Sequence, residues 1–227
     1  MERVYLGKTK DVYALGGGQF LLRFKDEVTG ENGVFDPGAN TVGLTIDGMG
    51  RANLAMSVYN FKLLNGAGVP THFLDADLGE GSMTVLSARP FGKGVEVICR
   101  KRAVGSFIRR YGAYLAPGAP LFDYVEFTLK DDKRGDPLIN NDGLIALRIM
   151  DAGQIEWVSR ETRRITNLIA DDLASKGLEL YDIKLEFGQV GGDIVLMDEI
   201  SSGNMRVMDE GRPVEPLALV RRVLGEA

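Results

Sequence analysis

Apolar residues recur along this chain at two different spacings, and each spacing predicts a different kind of element. Stripes at helical spacing predict two long helices, over Arg51–Leu64 and Ser159–Lys176, with Ser159 as the N-cap of the second. Two shorter helices are predicted over Val104–Tyr111 and near Pro216–Leu224. The remaining apolar runs alternate in twos, which is typical of strands that bury one face.

The strands and their connections favour an α+β fold. The predicted strands are Val12–Tyr13, Phe20–Phe24, Thr71–Phe73, Met83–Ser87, Val95–Cys99, Tyr124–Lys130, Leu178–Phe187 and Ile194–Met197. Glycine is spread through many short turns, such as Gly16–Gly18, rather than concentrated in a linker. Because strands and helices mix without a regular βαβ rhythm, we predict a β-rich lobe over 1–85 and an α+β lobe over 86–227.

Composition and charge exclude several classes of function for this chain. The 27 basic and 32 acidic side chains give a net charge of −5, which argues against a nucleic-acid partner. One cysteine, Cys99, and one histidine, His72, exclude an intrachain disulfide and any metal site built on several cysteines or histidines. Both residues are interpreted as packing residues. No run approaches the roughly 18 apolar residues of a membrane span, and the first residues do not resemble a signal peptide, so we expect a cytoplasmic protein.

The first segment with candidate chemistry is Gly7–Tyr13. Lys8 and Lys10 alternate on what is predicted to be one strand, so both side chains are expected on the same face. Behind a glycine turn, two ammonium groups can neutralise a polyphosphate. The same pattern also fits the solvated face of an edge strand, where lysines are common.

The second segment is a basic run in an acidic protein. Between Glu96 and Asp123 every charged residue is basic, from Arg100 to Arg110. Arginine binds phosphate in a bidentate fashion, and Ser106 follows Gly105 at a predicted helix start, so an anionic phosphate ligand is one interpretation. A solvated basic face is the other.

Two further strands carry carboxylates. Asp182, Lys184 and Glu186 alternate onto one face of the strand Leu178–Phe187, and the next strand ends in Asp198 and Glu199. Carboxylates that converge at strand ends suit a Mg²⁺ ion bound to a nucleotide. The solvent face of an amphipathic hairpin is the alternative.

The residues in these segments and the order of the segments along the chain together resemble the SAICAR synthetase family, the phosphoribosylaminoimidazole-succinocarboxamide synthases of purine biosynthesis. The similarity runs from about residue 5 to residue 206. The motifs that carry it are Gly7–Tyr13, Arg100–Ser106, Lys130–Asp132, Gly135–Pro137, Asp182–Gly188 and Asp198–Ser201 with Arg206.

The resemblance implies an ATP-dependent acid–amino-acid ligase. In such an enzyme, ATP activates the carboxylate of carboxyaminoimidazole ribonucleotide (CAIR) as an acyl phosphate, and the amine of L-aspartate displaces phosphate to give SAICAR. It also implies a two-lobed fold with a nucleotide cleft similar to those of ATP-grasp enzymes and kinases, the cofactors ATP and Mg²⁺, and a homodimer.

The resemblance further implies a role for each matching residue. Asp182, Lys184 and Asp198 are implied as catalytic, the first two facing the imidazole substrate and its reacting carboxylate. The residues implied to bind ATP are Lys8, Lys10, Val12, Lys130, Glu186 and Asp198. The ribonucleotide phosphate is implied to bind Arg100, Ser106 and Arg206, and the metal ion Asp198 and Glu186.

The chain departs from the family pattern at several points. Ser202-Gly203 stands where the family has Pro-Asp, Met49 replaces a lysine, and the acidic loop over Asp26–Gly33 is altered. A family segment usual near the C-terminus is not visible after Asp209. Two alternatives therefore stay open: a paralogue that ligates a different acid or amine, and a non-catalytic nucleotide-binding regulator.

Overall fold

The computed structural model describes residues 1–31, 33–39 and 41–226. The strands are β1 (Glu2–Leu6), β2 (Lys10–Gly16), β3 (Gln19–Phe24), β4 (Glu27–Glu31), β5 (Val34–Phe35), β6 (Val42–Thr45), β7 (Phe73–Asp77), β8 (Ser82–Leu86), β9 (Arg89–Pro90), β10 (Val95–Arg102), β11 (Pro120–Leu129), β12 (Leu138–Ile139), β13 (Glu179–Val190), β14 (Asp193–Met197), β15 (Met205–Asp209) and β16 (Arg212–Pro213). The helices are α1 (Met49–Gly66), α2 (Gly105–Tyr111), α3 (Asn141–Ala146), α4 (Ala152–Ser175) and α5 (Pro216–Leu224). The mixture of antiparallel sheets and helices confirms the predicted α+β class.

The chain forms two compact units that interleave along the sequence. The first unit comprises Met1–Arg89, Gly188–Asn204 and Glu215–Ala227, and the second comprises Pro90–Phe187 and Met205–Val214. The division into lobes over 1–85 and 86–227 stays a prediction.

The first unit is built around an antiparallel sheet in the order β1-β2-β3-β8-β7. The predicted hairpin between β2 and β3 is confirmed, with Gly16 paired to Gln19 and the turn glycines at positive φ, a region open to glycine at little cost. Helix α1 packs on this unit and buries Leu54, Phe61 and Leu64. Helix α5, the predicted Pro216–Leu224 helix, packs against α1.

The second unit is built around an antiparallel sheet in the order β12-β11-β10-β13-β15-β16. One face of this sheet is apolar, and α4 packs on β10 and β11. The core on this face includes Val97, Cys99, Phe127, Ile183, Leu185, Ile165 and Ile169. The opposite face of the same strands is polar, and it carries most of the candidate site residues of this unit.

Helix α4 begins earlier than its apolar stripe predicts. Asp151 is the N-cap, because its carboxylate accepts the amide hydrogen of Gln154 at 2.8 Å while the Gln154 side chain accepts the Asp151 amide at 3.0 Å. The prediction of Ser159 as N-cap is wrong, since Ser159 lies inside the helix. The signal that locates the true start is the capping box Asp-x-x-Gln, together with Ile155, which extends the buried stripe.

The capping box gives a stability prediction. We expect Asp151→Ala to lower the free energy of unfolding by about 1 kcal/mol, because the backbone amide of Gln154 at the helix start loses its acceptor. Urea unfolding followed by circular dichroism measures this loss. Ser159→Ala is the control, and it is expected to change stability by less than about 0.5 kcal/mol because alanine suits a helix interior. A larger loss in the control than in Asp151→Ala would contradict the assignment of the cap.

Candidate active site

The polar face of the second unit is set by the register of three strands, β10, β13 and β15. Arg100 on β10 stands opposite Asp182 on β13, and Asp182 stands opposite Arg206 on β15. Lys184 lies opposite Ile98, and Glu186 lies opposite Glu96. Because strand residues two apart share a face, the register places these side chains in one continuous polar layer.

Three of the predicted residues occupy this layer as the alternation predicts. Asp182, Lys184 and Glu186 share one face, and Asp182 and Glu186 are buried. The alternative of a solvated hairpin face is wrong for these two carboxylates. Arg100 is only 2% exposed, so the alternative of a solvated basic face is wrong for Arg100 as well.

Arg100 gives every N–H of its guanidinium to a protein acceptor. Nε and Nη2 donate to Glu126 at 3.0 and 2.8 Å, and Nη1 donates to Asp182 at 2.5 Å. The remaining hydrogens reach the Val104 carbonyl at 3.3 Å and the Ser106 hydroxyl at 2.8 Å. Since the Ser106 oxygen accepts from Arg100, the hydrogen of that hydroxyl is left to donate to another acceptor.

Two further arginines join this group of charges, which we call the arginine cluster (Arg100, Arg110, Arg206, Glu126 and Asp182). Arg110 contacts both Glu126 oxygens at 2.6 and 2.7 Å, and Arg206 contacts Asp182 at 2.8 Å. Three guanidinium groups face two carboxylates, so the cluster carries one positive charge in excess. An excess of this sign beside an available hydroxyl donor favours an anionic ligand.

The environment of the cluster shifts the pKa of two of its members. Burial raises the pKa of the Asp182 carboxyl above its ordinary value, and Arg206 and Arg100 oppose that shift. Burial disfavours the charged form of Arg110, but the contact with Glu126 outweighs it and raises the pKa of the guanidinium. Arg110 therefore keeps its charge throughout the physiological range.

Gly105 is required by the position of Arg206. A Cβ atom at residue 105 would lie 2.8 Å from the Arg206 guanidinium, and the backbone of Gly105 has φ +55°. Any side chain there would displace the guanidinium and strain the backbone. The glycine between Val104 and Ser106 thus lets Arg206 lie against the start of α2, next to the Ser106 backbone.

A second group of polar contacts lies further along the same face. Lys184 Nζ lies 2.8 Å from Glu96 Oε1, whose other oxygen accepts the Thr128 hydroxyl hydrogen at 3.0 Å. Lys130 Nζ lies 2.5 Å from Glu186 Oε1. Burial disfavours the charged Lys184 ammonium, but the Glu96 carboxylate outweighs it, so the pKa of Lys184 lies above its ordinary value. Lys184 is therefore positively charged at neutral pH and acts as a cation rather than a base.

The raised pKa of Lys184 predicts a stability change at high pH. The ion pair with Glu96 contributes fully below the unfolded lysine pKa of about 10.4, and this contribution is lost as pH rises through the higher folded pKa. We expect the wild type to lose more unfolding free energy between pH 9 and pH 12 than Lys184→Met does. Urea unfolding at both pH values measures the difference, and equal losses would contradict the assignment.

In the first unit, Lys10 meets two carboxylates. Its Nζ lies 2.8 Å from Asp198 Oδ1 and 3.5 Å from Glu199 Oε1, and the Thr9 hydroxyl donates to Glu199 Oε1 at 3.4 Å. Burial raises the pKa of Glu199, and Lys10 opposes that shift. The expectation that Lys8 and Lys10 share a strand is wrong, because β2 begins at Lys10 and Lys8 lies in the preceding bend.

Two of the motifs that are altered in this sequence, the acidic loop and the segment around Met49, also lie in the first unit. The Asp26 carboxylate accepts the backbone amide of Gly50 at 2.7 Å and that of Gly48 at 3.2 Å, so the acidic loop binds the N-terminal end of α1. Met49, the first residue of α1, is fully buried. Asn32, part of the same acidic loop in the sequence, lies outside the described residues.

The oxygens available to a divalent cation fit Mg²⁺. Among the described residues, no group of three or more histidines, cysteines, aspartates or glutamates could hold a metal ion by itself. Mg²⁺ is commonly held by one or two carboxylates together with substrate phosphates, so a complete protein cage is not required. The carboxylates of Asp198 and Glu199 supply such oxygens, and the buried Oε2 of Glu199 has no hydrogen-bond partner among the described residues.

The structure brings together three groups of predicted residues and adds residues that sequence reasoning missed. Ser106 and Arg206 join Arg100 and Asp182, Lys10 meets Asp198, and Lys130 meets Glu186. The added residues are Glu96, Glu126 and His72. The contacts of these residues depend on strand register and on segments distant in sequence, so no local motif predicts them. Val12, predicted to contact adenine, is half-buried on β2 opposite Leu22.

Known proteins match this chain over nearly its whole length. The family model for SAICAR synthetase matches residues 3–216. The curated phosphoribosylaminoimidazole-succinocarboxamide synthase of Clostridium tetani is 52% identical over 226 residues, covering 99% of this chain and 100% of that relative. The chain belongs to the SAICAR synthetase family.

Solved structures agree with this assignment. The crystal structure of the phosphoribosylaminoimidazole-succinocarboxamide synthase of Ehrlichia chaffeensis has a TM-score of 0.87 and 25% identity, covering 100% of this chain and 99% of that one. A SAICAR synthetase in complex with ADP has a TM-score of 0.86 and 29% identity, covering 98% and 97% of the two chains. Among the described helices, none is long and apolar enough to cross a membrane.

Proposed function

We propose that this chain is an ATP-dependent ligase that joins CAIR and L-aspartate to give SAICAR, ADP and phosphate in purine biosynthesis. The observation that carries the proposal is the arginine cluster with its excess positive charge and its Ser106 hydroxyl, in a chain 52% identical to a curated enzyme with this name. The Clostridium tetani relative matches 99% of the chain, so the proposal concerns the full length of the chain.

The arginine cluster is assigned to the ribonucleotide phosphate. Ser106 donates its hydroxyl hydrogen to a phosphate oxygen, and Arg206 supplies charge from beside it. Arg100 supports this site from within the sheet, since it fixes both Ser106 and Asp182. A phosphate held in this way anchors the substrate at one end and fixes the position of its reactive carboxylate.

Lys184 is assigned to the reacting end of the substrate, whereas Asp182, which the resemblance also implies to be catalytic, holds Arg100 and Arg206 in the phosphate site. The Lys184 ammonium, kept protonated by Glu96, neutralises negative charge where the substrate carboxylate attacks the terminal phosphorus of ATP. That attack forms a C–O–P bond and breaks the bond to ADP. The aspartate amine then attacks the carbonyl carbon, the C–N bond forms, phosphate leaves, and the amine loses a proton.

The remaining predicted residues are assigned to the nucleotide. Lys8 and Lys10 neutralise its phosphates, Lys130 adds a further cation, and Val12 contacts the adenine. Asp198 and the neighbouring Glu199 would hold Mg²⁺, which supplies charge neutralisation at the phosphates when it is bound, and the metal role implied for Glu186 stays a prediction. A homodimer, a cytoplasmic location and a cleft like those of ATP-grasp enzymes and kinases stay predictions.

One assay separates this function from its alternatives. The protein is mixed with Mg-ATP, CAIR and L-aspartate, and both released phosphate and the succinocarboxamide product are measured. Product formed at the rate of phosphate release supports the proposal. Phosphate release only with another acid or amine would favour a paralogue. ATP binding without turnover on any acid and amine tested would favour a non-catalytic regulator.

A further inference from the structure

The chain leaves the strand conformation at Asp198. Strand β14 ends at Met197, and Asp198 has φ +70°, a left-handed conformation that residues with side chains rarely adopt. Such a conformation persists only when the surrounding structure holds it.

The break in the strand has a direct effect on the neighbouring carboxylates. Successive residues of a regular strand point to opposite faces. Here, Asp198 and Glu199 are adjacent, yet both approach the Lys10 ammonium, at 2.8 and 3.5 Å. The left-handed backbone at Asp198 is what permits two consecutive carboxylates to converge on one cation.

His72 holds the peptide group that follows this break. Its Nε2 lies 2.9 Å from the carbonyl oxygen of Asp198. A carbonyl can only accept a hydrogen bond, so Nε2 carries the hydrogen and donates it. Burial lowers the pKa of His72 to about 4, which keeps the ring neutral at pH 7. The contact is thus a neutral hydrogen bond that directs one peptide plane.

The ring of His72 is itself fixed. The residue is 3% exposed, its backbone amide donates to Leu196 at 2.9 Å, and its carbonyl accepts from Leu86 at 2.7 Å. The ring packs against Phe61 with the centroids 5.5 Å apart. Because the His72 ring has little freedom to move, its Nε2–H donor can fix the position of the Asp198 carbonyl oxygen that accepts from it.

We propose that His72 is a positioning residue that, through its Nε2–H, orients the Asp198 peptide and so presents the Asp198 carboxylate to Lys10 and to a nucleotide-bound divalent cation. The proposal rests on the proposed function for the identity of that cation and nucleotide. His72 does not touch the reacting atoms in this scheme, and its effect passes entirely through the backbone of Asp198.

The test compares two replacements of His72. His72→Gln keeps an N–H donor at about the same distance from the backbone, whereas His72→Leu keeps an apolar volume without a donor. A third variant, Val85→Ala, removes buried volume from β8 of the same unit and leaves His72 and Asp198 unsubstituted, so it serves as the control for general destabilisation. All three are compared at a temperature well below their measured melting points.

The main readout is binding rather than turnover. Calorimetry gives the dissociation constant of ADP at a series of Mg²⁺ concentrations and in chelator. We expect His72→Leu to reduce the Mg²⁺-dependent gain in ADP affinity by about 10-fold or more, the range found when groups that orient metal ligands are removed. ADP binding in chelator should be unchanged. His72→Gln should stay within about 3-fold of the wild type, as should Val85→Ala.

The outcomes that overturn the proposal are specific. The proposal is overturned if His72→Leu keeps the wild-type gain in ADP affinity with Mg²⁺. It is also overturned if His72→Gln or Val85→Ala loses as much of that gain as His72→Leu does. The proposed function is judged separately from product formation by the wild type. A wild type that binds Mg-ADP but forms no product would reject the function while leaving the His72 comparison decisive, and a wild type that binds no nucleotide would reject both.

Discussion

Asp198→Asn is expected to lower the kcat of the ligation by about 100-fold or more with little change in fold. The replacement keeps the shape of the side chain but removes the charge that lies 2.8 Å from Lys10. An amide oxygen is also a weaker ligand for a hard divalent cation than a carboxylate oxygen. Lys10 retains Glu199 as a partner at 3.5 Å, so the ion pair is weakened rather than abolished.

The control for this prediction lies on the same strand. Asp193→Asn makes the same chemical change at the other end of β14, where the side chain is exposed, and should leave kcat within about 2-fold of the wild type. Coupled measurement of ADP and SAICAR formation gives both rates. Turnover by Asp198→Asn at the wild-type rate would remove Asp198 from the nucleotide site.

Arg100→Leu is expected to have the largest effect on stability, a loss of about 3–5 kcal/mol in unfolding free energy. The guanidinium is 2% exposed and contacts both Glu126 and Asp182. Its removal leaves two buried carboxylates with fewer partners, although Arg110 and Arg206 still contact them. Urea unfolding measures the loss, and any folded fraction should also show a raised KM for CAIR because Ser106 loses its support.

Arg102→Leu is the matched control for Arg100→Leu. Arg102 lies two residues further along β10 and pairs with Glu179, but both side chains are substantially exposed. Exposed ion pairs contribute about 0–1 kcal/mol, so the control should be nearly neutral. Equal losses for Arg100→Leu and Arg102→Leu would contradict the proposed role of burial.

The alternation along β13 was accessible from the sequence, but its partners were not. Period-two spacing correctly placed Asp182, Lys184 and Glu186 on one face. Which charge neutralises each of them depends on segments that lie 24 to 88 residues away along the chain, and Arg100 and Glu96 reach them from the neighbouring strand β10. A charged residue considered alone is also expected to face solvent, because the local sequence does not show the partner that permits its burial.

The local conformation of the two lysines shows a second limit. A strand through Gly7–Tyr13 was the natural interpretation of the alternation, yet β2 begins only at Lys10. The Gly7 amide donates to the Lys10 carbonyl at 3.0 Å, which closes a tight turn and places Lys8 within it. The helices were more accessible because α1 and α5 depend on local spacing, and α5 also begins at Pro216 and ends before Gly225.

The order of charges across the second sheet has a consequence for engineering and for natural variation. Along the row from β11 to β15, acidic and basic side chains alternate as Glu126, Arg100, Asp182 and Arg206. A change of sign at one member places like charges side by side unless its neighbours change too. These four positions are therefore expected to be substituted as a set, and a redesign that aims at a new acid substrate should begin from residues that border the row rather than from its members.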